Sequence, residues 1–112
     1  MKYAMLIHYP PGHTDALSDD EAGAMLGEYT ALRDDPRYIA SGELQPVETA
    51  TTVRVEGGQT LTTDGPYADT KEVFGAYYVF DVDNLDEATE LAARIPAARL
   101  GGAIEVRPLV ER

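Results

Sequence analysis

The sequence predicts an α+β domain: one sheet, two helices on a single side of it, and an inserted hairpin. Three observations carry that expectation. Residues 2–8 and 73–82 are apolar on both faces, the pattern of strands at the middle of a sheet. Two segments of helical periodicity each open with a side chain suited to capping, Ser18 and Asn84. The elements follow one another as β-α-β, hairpin, β-α-β, and 112 residues is the span of a single domain, residues 1–112.

The first strand puts Tyr3, Met5 and Ile7 on one side and Ala4 and Leu6 on the other, ending at His8. A loop over residues 9–13 follows, because neither Pro10 nor Pro11 can donate to a ladder. Ser18 and Glu21 have the spacing of a capping box, and the acids of this first turn suit the helix dipole. Ala22, Met25, Leu26, Tyr29 and Leu32 form a stripe expected to be buried, and Pro36 stops the helix near Asp34. Gly23 and Gly27 each cost about 1 kcal/mol relative to alanine, and read either as close-packing positions or as tolerated surface ones.

Residues 38–47 read as a strand broken around Ser41 and Gly42. Residues 51–55 and 60–63 flank Gly57-Gly58, a hairpin signal, and Gly65-Pro66 ends the pairing. Within 73–82, Phe74, Ala76, Tyr78, Phe80 and Val82 share one face, with Val73, Tyr77 and Val79 on the other. Leu85, Ala88, Leu91, Ala92 and Ile95 form the stripe of the second helix, closed by Pro96. Residues 103–109 alternate, Ile104 and Val106 inward, Glu105 and Arg107 outward, as in an edge strand. The sum is a ferredoxin-like βαββαβ fold with an inserted β-hairpin. Two helices cover only one face of such a sheet, so a second copy is the expected cover of the other, in a symmetric homodimer.

Twenty acidic residues against nine basic ones give a net charge of −11. That charge argues against a nucleic-acid binder, which needs clustered Lys and Arg, and against attraction to anionic membranes. No apolar run approaches the roughly 20 residues of a membrane helix. The first eight residues are too short for a signal-peptide core, so a cytoplasmic location is expected. The absence of cysteine excludes disulfides, thiolate metal sites and cysteine nucleophiles. Two histidines without a His-x-x-x-His spacing give no metal-ligand set, and Asp81 and Asp83 read as acids preparing a helix N-terminus. Neither a phosphate-cradling glycine loop nor a nucleophile elbow is present, so no cofactor or metal is expected.

Thr63-Asp64-Gly65-Pro66-Tyr67-Ala68-Asp69-Thr70-Lys71-Glu72 resembles the signature of the YCII-related family, in particular its Asp-Gly-Pro-Phe (DGPF) subgroup. Tyr67 stands where that motif usually has phenylalanine, which keeps the ring and adds a hydroxyl. Gly75-Ala76-Tyr77-Tyr78, Ala92-Ala93-Arg94-Ile95-Pro96 and Glu105-Val106-Arg107-Pro108 resemble the same subgroup. So do Asp81-Val82-Asp83, Gly42-Glu43-Leu44-Gln45-Pro46 and Ala50-Thr51-Thr52-Val53-Arg54, and the likeness covers nearly the whole chain. The resemblance implies ferredoxin-like protomers pairing into a dimeric α/β barrel. That fold hosts small-aromatic monooxygenases, lactone isomerases and dehalogenating lyases, so it does not choose a reaction. The resemblance further implies small-molecule chemistry through a histidine–aspartate pair, and a regulatory link to extracytoplasmic-function sigma factors.

His8 and Asp64 are the expected catalytic pair, His8 as proton acceptor and Asp64 holding its tautomer. The plainer alternatives are a histidine satisfied by a backbone partner and a turn aspartate accepting neighbouring N–H groups. For substrate binding, Tyr77 or Tyr78, whichever points into the barrel, would donate to a ligand, with core packing as the alternative. Tyr67 and Arg107 complete the binding set, Arg107 through a planar fork that suits an anion or, as the alternative, an acidic side chain. His13 reads as exposed in its Pro-Gly loop, and Asp69, Lys71 and Glu72 as a solvated cluster. The expected function is a cofactor-free small-molecule enzyme or binder of lyase or isomerase type. The alternative is a non-enzymatic module that senses a ligand or binds a transcription regulator.

Overall fold

The computed structural model describes residues 1–68 and 70–112; Asp69 of the expected charged cluster lies outside them. The chain runs β1 (Lys2–Tyr9), α1 (Asp19–Arg33), β2 (Tyr38–Glu43), β3 (Thr51–Glu56), β4 (Gln59–Asp64), β5 (Val73–Asp81), α2 (Leu85–Ala93) and β6 (Ala103–Pro108). Four strands form an antiparallel sheet in the order β2-β5-β1-β6, and β3 with β4 forms a separate hairpin. The two strands with apolar residues on both faces, β1 and β5, are therefore the central pair.

Local chemistry sets the element ends. Ser18 Oγ accepts the Glu21 N–H at 3.1 Å while Glu21 Oε1 accepts the Ser18 N–H at 3.1 Å, closing the capping box. Asn84 Oδ1 accepts the Glu87 N–H at 2.9 Å at the start of α2. Gly57 and Gly58 both take positive φ, 55° and 78°, as a two-residue hairpin turn requires.

Both helices pack on one side of the sheet. Tyr3, Met5 and Ile7 of β1 and Tyr78 and Phe80 of β5 meet Leu32, Leu91 and Ile95 in the core there. The other side carries Ala4, Leu6, Tyr77 and Val79, and no helix of the described residues lies against it. The hairpin packs mainly on itself. The molecule is in consequence a slab of 45 × 42 × 19 Å, with a radius of gyration of 16.1 Å. A compact chain of about this length has a radius near 13 Å. Among the described residues, no helix is long and apolar enough to cross a membrane.

The structure corrects four local expectations. Residues 38–47 do not form one strand broken at Gly42: the ladder runs through Gly42, its irregularity falls between Tyr38 and Ala40, and Val47–Thr49 is a 3-10 turn. Of the first helix stripe only Leu32 is fully buried and Leu26 is exposed, because a cavity lined by Met25, Leu26, Tyr29, Thr30 and Arg33 lies between α1 and the sheet. Leu85 is likewise exposed at the first turn of α2. Phe74 changes face: Ile7 pairs with Ala76 but His8 with Phe74, so Gly75 is the extra residue of a β-bulge. The cause is tertiary. A Cβ on Gly75 would overlap the Tyr9 phenol, which occupies that space instead.

Candidate functional site

A cavity of about 340 Å³ opens between α1, β2, β5 and the loop after β1. That volume suits a small organic ligand, for which pockets of roughly 300–1,000 Å³ are usual. Tyr9, the last residue of β1, turns its ring to the helix side across Gly75. The following loop folds back through a turn in which the His13 N–H donates to Pro10 O at 3.1 Å. This stacks the His13 imidazole on the Tyr9 ring, centroids 4.0 Å apart and planes 19° from parallel. Tyr29 and Arg33, one helical turn apart on α1, supply the opposite wall, with Glu43 at the end of β2. Tyr78 donates its hydroxyl to Tyr29 O at 3.1 Å, fixing helix to sheet at the cavity floor.

Burial and neighbouring charge tune these groups. Burial holds His13 below the usual imidazole range, opposed only in part by the Asp15 carboxylate. Burial, then the Glu43 charge, pushes the Tyr9 phenol up, and burial pushes Tyr29 up as well. Tyr78 is raised by burial to about 12. Near pH 7 the pocket therefore presents a neutral imidazole able to accept a proton, protonated phenols able to donate hydrogen bonds, and the Arg33 cation.

The expected site residues fall elsewhere, with one exception. His8 lies on the helix-free side of the sheet, its ring centroid 5.7 Å from that of Phe74. Its Nε2 is buried without a hydrogen bond; Glu105 Oε1 stands 3.4 Å away but out of line. Leaving such a nitrogen unmet costs about 1–3 kcal/mol. Asp64 ends β4 opposite Thr51, exposed on the hairpin, and no hydrogen bond or ion pair joins it to His8 within the chain. Nor does its carboxylate cap the turn: the Gly65 N–H goes to Ala50 O and Thr52 Oγ1 donates to Gly65 O, both within the hairpin root.

Tyr77, the exception, borders the cavity while its ring lies against Gly42 on the helix-free side. Tyr67 is 76% exposed, with the Arg54 guanidinium 5.0 Å above its ring. Arg107 is exposed opposite Ala4 on β6, on the same side as His8. His13, expected to be exposed, is half-buried. Sequence reasoning missed Tyr9, His13, Arg33 and Glu43. The alternation of β1 carried one residue past His8 would have put Tyr9 on the helix side, and the Tyr29/Arg33 spacing would have put a cation beside it.

Fold and cavity together define a ferredoxin-like α+β protein with a ligand-sized pocket between its first helix and its sheet. The chain belongs to the YCII-related domain family, whose profile matches residues 1–112. An uncharacterised protein of Rhizobium meliloti (strain 1021) is 34% identical over 116 aligned positions, which cover 97% of this chain and 92% of that protein. Among solved structures the chain is similar to 5-chloro-2-hydroxyhydroquinone dehydrochlorinase from Burkholderia phenoliruptrix AC1100, in complex with 2,5-dihydroxybenzoquinone. The TM-score is 0.55 at 17% identity, with 100% of this chain and 96% of the other covered. At that identity the likeness concerns the fold.

Proposed function

We propose that this protein is a cofactor-free enzyme of lyase or isomerase type acting on a small, ring-shaped molecule bound between α1 and the sheet. One observation carries the reading: the cavity of about 340 Å³ gathers a half-buried imidazole, several phenols and a guanidinium around a space sized for one ring. Neutral His13 accepts a proton from the substrate. The phenols and Arg33 stabilise the oxyanion that develops as the proton leaves. Removal of a proton is half of what a dehydrochlorinase does, and the neighbour of that name binds a dihydroxybenzoquinone, a ring of suitable size. This moves the proton acceptor from His8 to His13. Membership of the DGPF subgroup fits the Asp64-Gly65-Pro66 hairpin root, where Gly65 takes a φ of 99°. The helix-free sheet face is the surface a regulatory partner would use; we assign it to a second copy.

Calorimetric titration with 2,5-dihydroxybenzoquinone tests the assignment. Binding to the wild type should weaken at least tenfold in His13→Ala and stay unchanged in His8→Gln. The reverse pattern would return the chemistry to His8.

A further inference from the structure

We infer that the ligand of the cavity under α1 is a ring with two unlike ends: a planar anionic group, a carboxylate in the simplest case, held by Arg33, and a hydroxyl that donates to Glu43. The inference rests on the reading that the ligand binds in this cavity, and it names the class of molecule bound there. Arg33 supplies the first half. With twenty acids to nine bases, cations in this chain readily find partners: Arg37 and Arg94 share Asp35, and Arg99 takes Glu28. Among the described residues Arg33 pairs with no acid, although it lines the same cavity as Glu43. Its side chain is tethered instead along the cavity wall. Arg33 Nη2 donates to Thr30 Oγ1 at 3.3 Å, and that hydroxyl donates in turn to Leu26 O at 3.0 Å. The last turn of α1 favours a cation at this place through the helix dipole. A guanidinium carries five N–H donors in a fixed fork, so one bond to Thr30 leaves a pair for bidentate capture of a carboxylate. It leaves donors over for the oxyanion of the reaction as well.

Glu43 supplies the other half. Ser41 pairs with Tyr78 and Glu43 with Ala76, so Glu43 lies two positions further along β2, about 7 Å at the usual strand rise. Arg33 stands a helical turn beyond Tyr29, whose carbonyl takes the Tyr78 hydroxyl, and so belongs to the Tyr78 end. Both charges reach that phenol: burial is the main cause of its raised pKa, Arg33 opposes the rise and Glu43 adds to it. Glu43 also raises the phenol of Tyr9, on which His13 stacks, and so belongs to the end that bears the proton acceptor. An ionised carboxylate only accepts hydrogen bonds, and a ring hydroxyl is the donor it would meet. Charges outside the wall point the same way. Asp15 acts on His13 and makes that end more negative, Arg99 near Tyr29 is neutralised by Glu28, and Asp34 does not line the cavity. An anionic group is therefore favoured at Arg33 and disfavoured beside His13. A dianion such as a phosphate ester is a poor fit to a wall on which one cation and one acid offset each other.

The test compares three probes that share one ring: 4-hydroxybenzoate has both ends, benzoate lacks the hydroxyl, and phenol lacks the carboxylate. Calorimetric titration gives the affinities, and amide shifts at Tyr29 and Ala76 show that a probe sits in the cavity. The wild type should bind 4-hydroxybenzoate at least tenfold more tightly than phenol and at least threefold more tightly than benzoate. Arg33→Gln should remove the first preference and keep the second, and Glu43→Ala should do the reverse. Both side chains are exposed, so neither change threatens the fold. Arg33→Lys, which keeps the charge and loses the fork, should fall between the wild type and Arg33→Gln. Equal affinity for phenol and 4-hydroxybenzoate, with both shifting Tyr29 and Ala76, overturns the inference and leaves the cavity as the binding site. A preference for 4-hydroxybenzoate over phenol that survives Arg33→Gln overturns it too. Probes that shift His8 and Phe74 instead, or no binding by any of the three, overturn the cavity reading together with it.

Discussion

His13 and Gly75 show how single residues shape the pocket. His13 must be neutral to accept a proton, and burial holds its pKa below 6.5. The acid limb of ligand turnover should therefore fall with a midpoint under pH 6.5, activity being present above the limb and lost as pH drops through it. A pH–rate profile checks this once a substrate is in hand, and His13→Ala should abolish the activity whose acid limb it sets. Gly75 acts by absence of a side chain, leaving room for the Tyr9 ring. Gly75→Ala should cost about 1–3 kcal/mol through overpacking. Urea unfolding reads the loss, and the Tyr9 and His13 ring resonances should move together, since the two rings are stacked.

At the scale of elements, α1 is held at both ends by polar contacts. Loss of the Ser18 hydroxyl opens the capping box, so Ser18→Ala should cost about 1 kcal/mol of stability in chemical denaturation. At the other end Asp35 accepts from Arg37 Nε at 3.0 Å, from Arg37 Nη2 at 2.9 Å and from the Arg37 N–H at 2.9 Å. Arg94 Nη1, just past α2, lies 3.9 Å from it. The Arg37 hydrogen bonds pull the Asp35 carboxyl down to about 2. A depressed carboxyl stabilises above its unfolded pKa, near 4, and the contribution disappears as pH falls to about 2. Asp35→Asn should thus cost about 1–2 kcal/mol at pH 7, allowing for solvent screening, and nothing near pH 2. Unfolding curves at the two pH values distinguish this from a general packing loss. The caps, the Gly57-Gly58 turn and the two central strands were legible in the sequence because each depends on neighbours within a few positions. The bulge at Gly75 was not, since it makes room for a Tyr9 ring that arrives from another strand.

At the scale of the molecule, the protein is a slab 19 Å thick with an apolar sheet face that its helices leave uncovered and a projecting hairpin. The sequence made the bare face legible, because two helices cannot cover both sides of a four-stranded sheet. It did not make the cavity under α1 legible. Pattern and family resemblance pointed to His8 and Asp64, but which face of the sheet bears the cavity depends on how far α1 stands from it, and residue spacing carries no record of that distance. We propose that the chemistry occurs in the cavity under α1 and not on the helix-free face that bears His8. The most direct test is a chemical-shift map of the isotope-labelled wild-type protein titrated with 2,5-dihydroxybenzoquinone. Perturbations centred on Tyr9, His13, Tyr29 and Ala76 are the expected result. Perturbations centred on His8, Phe74 and Glu105, with the residues under α1 silent, would contradict it.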